Sequence, residues 1–258
     1  MVVADLHLHT TNSDGTLTIE TLASAAHAAD LDAVAVTDHD RPHPSIDEPI
    51  SDLDGITLVH GIELRVETAD QRLDLLGYGL SRTADLIALT DGLQQNRIER
   101  AREIVGRVEA RLGVSLDVAY ERGVGRPHIA RAIAASSAPY DYQDAFDELI
   151  GDDCPCYVPR EIPEFETGRA VLNDACAVVG LAHPFRYDDP ATALEYTERL
   201  DAVEIPYPYD RAVDTTAAAE AASEFDLLVT GGSDAHDDQL GKAGLDSDQY
   251  DQFLSALQ

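Results

Sequence analysis

The sequence predicts an α/β protein in which a parallel sheet is interrupted by an inserted helical subdomain. Along most of the 258 residues, short apolar segments typical of strands alternate with helical segments. This alternation is typical of parallel α/β folds. Between residues 85 and 163 the strand pattern stops and helical patterns dominate. We therefore expect one main domain made of residues 1–84 and 164–258, with residues 85–163 forming the insertion.

The elements follow one another in chain order, with local signals at several of their ends. Thr16 or Thr18 is a candidate N-cap of the first helix, and Gly113 is a candidate stop for a long charged helix. The predicted strands are residues 2–6, 32–37, 56–60, 73–80, 176–182, 202–205 and 226–230. The predicted helices are residues 17–29, 87–112, 142–150, 167–175, 191–200, 210–223 and 248–257, with a further helix after His128.

The composition is strongly acidic. The chain has 49 Asp and Glu residues against 18 Lys and Arg residues, a formal net charge of −31, and Lys242 is its only lysine. Such a charge is typical of halophilic proteins, whose surfaces are screened by salt. We therefore expect a halophilic, cytoplasmic protein that forms no stable complex with duplex nucleic acid. Its start shows no basic signal region, and no apolar run reaches the roughly 18 residues of a membrane span.

Five predicted strands carry His, Asp or Glu at or just beyond their carboxyl ends. In an extended segment residues i and i+2 share a face, so His7 and His9 point to the same side. The carboxyl ends of parallel barrel strands form one edge, where active sites lie. Imidazole and carboxylate without thiolate favour Zn²⁺, Mn²⁺ or Fe²⁺. The segments are Asp5-Leu6-His7-Leu8-His9, Asp38-His39, Gly61-Ile62-Glu63, His183-Pro184 and Ser233-Asp234-Ala235-His236, with Asp14 in a turn after the first.

These segments, in this order, resemble the motifs of the PHP (polymerase and histidinol phosphatase) superfamily. The resemblance implies a distorted (β/α)7 TIM-like barrel that holds two or three divalent metal ions at its strand ends. A second resemblance is to the branch that hydrolyses nucleoside 3′,5′-bisphosphates and trims the 5′ ends of oligonucleotides. It rests on the segment Gly125-Arg126-Pro127-His128-Ile129-Ala130 and on the preceding helix with Asn96-Arg97.

The superfamily resemblance also implies a role for each residue. One ion would be held by His7, His9, Glu63 and Asp234, a second by Glu63 and His183, and a third by Asp14, His39 and His236. Many members have a histidine as a further ligand of the second ion, where this chain has Asp74. A carboxylate there favours Mn²⁺ and could also leave that ion weakly bound. His183, Asp234 and Glu63 are the expected catalytic residues, and Arg126, His128 and Arg97 the expected phosphate-binding residues.

The expected activity is hydrolysis, by metal-activated water, of phosphate esters in nucleoside bisphosphates or short 5′-phosphorylated oligonucleotides. An alternative interpretation is that the protein is a histidinol-phosphate phosphatase or another small phosphomonoesterase. The Arg126-Pro127-His128 segment argues against this alternative. A metal-dependent amide hydrolase of similar fold would often carry a carbamylated lysine, but Lys242 lies outside the strand-end motifs. A metal-binding scaffold without activity is the alternative from a different class.

Overall fold

A computed structural model describes residues 1–257 and divides the chain into two compact units. Unit 1 contains residues 1–90 and 162–258, and unit 2 contains residues 91–161. The insertion expected at residues 85–163 differs slightly from unit 2, because the first turns of a long helix belong to unit 1. Among the described residues, no helix has the length and apolar character needed to cross a membrane.

Unit 1 is built on a curled sheet, which contains eight strands within residues 1–257. Seven strands lie side by side in the order β1-β2-β4-β5-β6-β7-β8, and β3 pairs with β4. The sequence analysis missed β3 and ended β4 too early. The strands are β1 (Ala4–Leu8), β2 (Ala33–Val36), β3 (Ile50–Leu53), β4 (Ile56–Glu67), β5 (Arg72–Tyr78), β6 (Val178–Leu181), β7 (Ala202–Glu204) and β8 (Leu228–Thr230).

The sheet is mixed, whereas the alternation of elements predicted a parallel one. Pairs β1–β2, β2–β4, β6–β7 and β7–β8 are parallel, but β5 runs antiparallel to both β4 and β6. The reason is local: β4 and β5 are joined by a short turn in which Thr68 Oγ1 donates a hydrogen bond to the Gln71 carbonyl at 2.7 Å. A turn of this length permits only a hairpin, since parallel neighbours need a long crossover.

Backbone hydrogen bonds connect β1 to the segment that follows β8. The amide of Leu6 donates to the Gly231 carbonyl at 3.0 Å, and the amide of His9 donates to the Ala235 carbonyl at 2.9 Å. A Cβ atom at Gly232 would overlap the backbone nitrogen of His7, so this approach requires glycine. The two ends of the sheet are thereby held together next to two predicted ligands.

The helices agree broadly with the sequence prediction. Thr18 is the N-cap of the first helix. The helix expected from Asp210 begins only at Thr216, after the N-cap Thr215, and the carboxylate of Asp214 accepts hydrogen bonds from the Thr216 amide (3.0 Å) and hydroxyl (2.6 Å). The helices are α1 (Ile19–Ala28), α2 (Ala84–Leu112), α3 (Arg126–Ala135), α4 (Tyr142–Ala145), α5 (Phe165–Ala175), α6 (Pro190–Glu195), α7 (Thr216–Glu224) and α8 (Ser247–Ala256).

Unit 2 has an apolar core of its own. Ile104, Val105 and Val108 of α2 pack against Ile129 and Ile133 of α3, and these five side chains are at most 2% exposed. Unit 1 has separate buried clusters on its sheet. Each unit therefore has buried apolar clusters of its own.

His60 in β4 is a buried histidine outside the strand-end motifs, and the sequence predicts a structural role for it. Its side chain is fully buried, and neither ring nitrogen has a hydrogen-bond partner among residues 1–257. Burial, with the nearby charges of Arg82 and His43, lowers the pKa of His60 to about 4. The folded protein therefore holds this imidazole neutral.

We expect the free energy of unfolding to decrease as the pH falls from 6.5, the ordinary histidine pKa, to about 4. In that window the unfolded chain binds a proton on His60 that the folded protein excludes, so this contribution is intact above pH 6.5 and is lost on acidification. A shift of this size corresponds to at most about 3 kcal/mol. Urea unfolding of wild type and His60→Leu in constant salt measures it as a pH-dependent difference between the two. The prediction would be contradicted if the free energies of unfolding of the two proteins changed in parallel with pH across this window.

Candidate metal centre

The nine side chains predicted as metal ligands lie together in unit 1. Each belongs to at least one group of three or four residues whose ligand atoms lie within 4.8 Å of one another. His7 is in β1, and His9 and His39 follow β1 and β2. Contrary to the prediction that Glu63 follows a strand, it lies inside β4, because β4 continues beyond residue 60 to pair with β5. The groups are His9, Asp14, His39 and His236; His7, His9 and Glu63; His7, His183 and Asp234; and Glu63, Asp74 and His183.

Glu63 lies at the centre of this cluster. Its side chain is 2% exposed, and four histidines surround its carboxylate. Oε1 lies 3.0 Å from His183 Nε2 and 3.7 Å from His7 Nε2. Oε2 lies 2.7 Å from His39 Nδ1 and 3.5 Å from His9 Nε2. This carboxylate contacts residues from each of the three ligand sets that the family resemblance implies.

Asp14 lies at the more exposed side of the cluster. Its Oδ1 lies 3.4 Å from His236 Nε2, and its Oδ2 lies 3.8 Å from His39 Nε2. The ring of His9 lies between the rings of His39 and His236, with both centroid distances at 4.3 Å. Side chains from three separate segments thus meet as one imidazole–carboxylate group.

Two of the predicted ligands have positive backbone φ angles, which residues other than glycine rarely adopt. His183 has a φ of 28° and Asp234 a φ of 49°. A non-glycine residue in this left-handed region costs on the order of 1–3 kcal/mol and is found mainly at functional sites. Both residues lie in the segments that follow β6 and β8, and these turns direct their side chains toward Glu63 and His9.

Three buried carboxylates position the cluster without joining it. Glu204 Oε1 lies 3.1 Å from Nδ1 of His7, and its Oε2 accepts the backbone amide of His183 at 2.7 Å. Asp5 accepts the amides of Ser233 and Gly241. Asp38 accepts hydrogen bonds from the side chains of Thr10, Asn12 and Ser13, which fixes the turn before Asp14. The sequence analysis did not single out Glu204, whose only signal is a charged residue at the end of an apolar strand.

Neighbouring charges shift the pKa values of the buried side chains in the cluster. Burial would raise the pKa of Glu63, but the nearby charges of His39 and His7 and the hydrogen bonds from His183 and His39 hold it well below its ordinary value. Burial lowers the pKa of His7, yet the carboxylates of Glu204, Asp234 and Glu63 raise it well above the ordinary range. A cation that binds His7 must therefore displace a proton, which makes metal affinity dependent on pH.

The donor set fits a divalent transition ion. His7 Nε2 and His183 Nδ1 are buried and have no hydrogen-bond partner among residues 1–257. Orphaned buried polar atoms are rare in proteins and point to a binding partner. Nδ1 of His7 is held by Glu204, so Nε2 is the nitrogen that faces the cluster. A carboxylate behind a metal-binding histidine is the usual arrangement in such centres.

Arg65 and Arg186 also belong to the site, and the sequence analysis missed both. Arg65 donates two hydrogen bonds to Asp74, at 2.7 and 2.6 Å. Nη1 of Arg186 donates to Asp234 Oδ2 and to the Tyr207 hydroxyl, both at 2.8 Å. The feature of the sequence that could have pointed to Arg186 is its position three residues after His183. Arg65 could only be found from the β4–β5 register, which sets it opposite Asp74.

The three predicted phosphate-binding residues lie in unit 2. Arg126 opens α3, and its Nη1 bonds the Asp152 carboxylate at 2.8 Å. Its guanidinium also lies over the Phe146 and Tyr157 rings, 5.8 and 5.7 Å from their centroids. His128 Nδ1 accepts the amide of Gly125 at 3.2 Å, which caps the helix. Arg97 lies on α2.

The chain is similar to several known proteins. The chain is 28% identical over 250 residues to the 5′-3′ exoribonuclease Rnm of Escherichia coli, covering 91% of this chain and 85% of the relative. It is 28% identical over 204 residues to the 3′,5′-nucleoside bisphosphate phosphatase of Chromobacterium violaceum, covering 76% and 71%. The crystal structure of a protein from Bifidobacterium adolescentis superimposes with a TM-score of 0.81 at 24% identity over 99% of this chain and 96% of that one, which shows that the two share a fold.

The barrel-like sheet and the imidazole–carboxylate centre define a metal-dependent phosphoesterase. The profile of the PHP domain matches residues 5–254, and the chain belongs to this family. The predictions of an α/β, TIM-like fold and of a phosphoric ester hydrolase are thereby confirmed.

We expect Glu204→Ala to weaken Mn²⁺ binding by about 10- to 100-fold, because loss of a carboxylate behind a metal-binding histidine has effects of this size. Glu204→Gln should retain most of the affinity, since its amide oxygen still accepts from His7 Nδ1. Isothermal titration calorimetry of both variants and wild type measures the effect, with thermal unfolding of the metal-free proteins as the control. Equal affinities in Glu204→Ala and wild type would refute the positioning role.

Proposed function

We propose that this chain hydrolyses phosphate esters of nucleotides, either nucleoside 3′,5′-bisphosphates or short 5′-phosphorylated oligonucleotides. The observation that carries the proposal is a cavity of about 650 Å³ in unit 1 beside the metal centre. Its size is within the range of small-molecule sites. Its lining combines cations with aromatic rings: Arg186, Arg211, Lys242, Tyr207 and Tyr209, next to Asp234 and His236.

The cavity offers side chains that suit a phosphate group and side chains that suit a nucleobase. Arg186 uses Nη1 on Asp234 and Tyr207, while its Nη2 and Nε make no hydrogen bond to a described residue and suit phosphate oxygens. The Tyr207 and Tyr209 rings lie 4.7 Å apart and provide an aromatic surface for a base. The only lysine of the chain also lines this cavity, in a protein with a net charge of −31.

We also propose that Arg126, His128 and Arg97 bind phosphate. In unit 2, burial and the neighbouring charges of Arg126, Arg160 and Arg97 lower the pKa of Arg100 to about 10. Several guanidiniums are therefore close enough to disfavour one another's charge. Such a concentration of like charge is relieved by an anion, and a guanidinium matches phosphate well.

Glu63, His183 and Asp234 are the proposed catalytic residues of the metal centre, where Glu63 and Asp234 would hold ions close to the ester and His183 would lie beside Glu63, with Mn²⁺ the favoured ion. When bound, divalent ions activate a water molecule and neutralise charge on the phosphate oxygens. The residues of this chain hold that geometry: Tyr207 donates to Asp234 Oδ2 at 2.7 Å, and His9 Nε2 lies 3.0 Å from Asp234 Oδ1. The Asp234 carboxylate is thereby fixed on both sides.

The substrate assignment is tested by phosphate release, in molar salt with Mn²⁺, from adenosine 3′,5′-bisphosphate, a short 5′-phosphorylated oligoribonucleotide and histidinol phosphate in parallel. We expect the nucleotides to be preferred. Asp234→Asn should lower kcat/KM by at least about 100-fold, because it weakens a ligand of the centre. Arg126→Ala should raise KM by about 10- to 100-fold, the value of a charged hydrogen bond to phosphate.

Arg131→Ala is the matched control, since Arg131 is an exposed arginine on the same helix as Arg126. Its kinetics should equal those of wild type. Preference for histidinol phosphate, or an Arg126→Ala variant with unchanged KM, would overturn the substrate assignment. No turnover of any ester with any divalent ion would favour a metal-binding scaffold instead.

We further propose that the protein works in a salt-rich cytoplasm. The net charge of −31 repels itself at low ionic strength, whereas the Debye length shrinks from about 10 Å at 0.1 M to about 3 Å at 1 M salt. A gain of about 3 kcal/mol from screening would raise Tm by roughly 6–12 °C. Thermal unfolding over a KCl series measures this gain. A protein that stays folded and active without added salt would refute the halophilic reading.

A further inference from the structure

Arg65 and Asp74 form an ion pair inside the candidate metal centre. They are directly opposite each other in the antiparallel register of β4 and β5. Nε of Arg65 donates to Oδ1 of Asp74 at 2.7 Å, and Nη2 donates to Oδ2 at 2.6 Å, while the Asp74 side chain is only 3% exposed. One planar guanidinium therefore occupies both oxygens of a carboxylate that the sequence predicts as a metal ligand. This is the most favourable geometry between arginine and a carboxylate.

The spacing of ligand atoms alone would admit an ion at this position. Glu63, Asp74 and His183 offer atoms within 4.8 Å of one another. However, an ion on Asp74 Oδ2 would share that oxygen with Nη2 of Arg65. Two cations on one oxygen repel each other strongly where little water screens them. The ion pair and an ion at this position therefore compete for the same carboxylate.

The pair between Arg186 and Asp234 provides a comparison within the same site. Arg186 contacts only Oδ2 of Asp234, at 2.8 Å. Oδ1 of Asp234 lies 3.0 Å from His9 Nε2 and 3.5 Å from His7 Nε2 and remains directed at the imidazoles. Arg186 thus leaves one oxygen of its carboxylate without a guanidinium contact, whereas Arg65 contacts both oxygens of Asp74.

We infer that Arg65 takes the place of one divalent ion, so that this centre binds two ions rather than three. The two lie with His7, His9, Glu63 and Asp234, and with Asp14, His39 and His236. The guanidinium supplies the positive charge beside Glu63 and His183, and it lines the same cavity of about 240 Å³ as those residues and Arg186. This inference rests on the proposed function only in that the centre binds metal.

The test counts ions and needs no substrate, so a wrong nucleotide assignment would leave its result unchanged. Metal-free protein is loaded with Mn²⁺ in molar KCl, freed of unbound metal, and analysed for Mn²⁺ per chain by inductively coupled plasma mass spectrometry. We expect two ions in wild type and two in Asp74→Asn. Arg65→Gln, which frees the Asp74 carboxylate, should bind a third. Arg186→Gln is the matched control and should stay at two.

Three ions in wild type, or one ion lost in Asp74→Asn, would overturn the inference. A count that stays at two in Arg65→Gln would also overturn it. Because Arg65→Gln leaves a buried carboxylate unpaired and can fail to fold, the double variant Arg65→Gln with Asp74→His repeats the test without that carboxylate. It should bind three ions, and a count of two in this folded variant would equally contradict the role of Arg65.

Discussion

The burial of the Glu63 carboxylate is the constraint on which the arrangement of unit 1 depends. An ionised carboxylate that is taken out of water costs several kcal/mol unless opposite charge and hydrogen-bond donors replace the solvent. Four histidines supply that replacement, and they come from β1, from the ends of β2 and β6, and from the segment after β1. These strands can end on the same point only if the sheet curls. The curvature of the sheet therefore brings the four histidines to one buried charge.

Other energetically unfavourable local features lie around the Glu63 carboxylate. His183 and Asp234 have left-handed backbone conformations, and Gly232 lies so close to His7 that no side chain would fit. Glu204 is fully buried and touches both His7 and the backbone of His183. None of these features improves the packing of the apolar core. They fix imidazole directions, which indicates that the position of the ligand atoms, more than stability, determines the local structure here.

The sequence analysis found residues that a local pattern places at strand ends. It missed contacts that depend on the register between strands. His7, His9, His183 and His236 could be found because strands that run the same way end at one edge, and the alternation of elements reveals where they end. Glu63 and Asp74 lie instead inside two antiparallel strands. Whether Arg65 faces Asp74 depends on a pairing in which a slip of one residue would turn every side chain to the other side. Glu204 was missed for a related reason, because its contacts bridge nearly the whole chain and no local pattern records them.

The distribution of charge explains how so acidic a protein can act on a phosphate ester. At ionic strengths near 1 M a charge is screened beyond about 3 Å, so an anionic substrate responds only to the groups that it touches. The groups that line the cavity beside the centre include Arg186, Arg211 and Lys242, although acidic residues outnumber basic ones by 49 to 18 in the whole chain. The net charge then governs solubility and the rate of encounter, while the cavity would govern binding in the proposed function. At low salt the two effects would oppose each other, because the long-range field would repel the ligand that the cavity attracts.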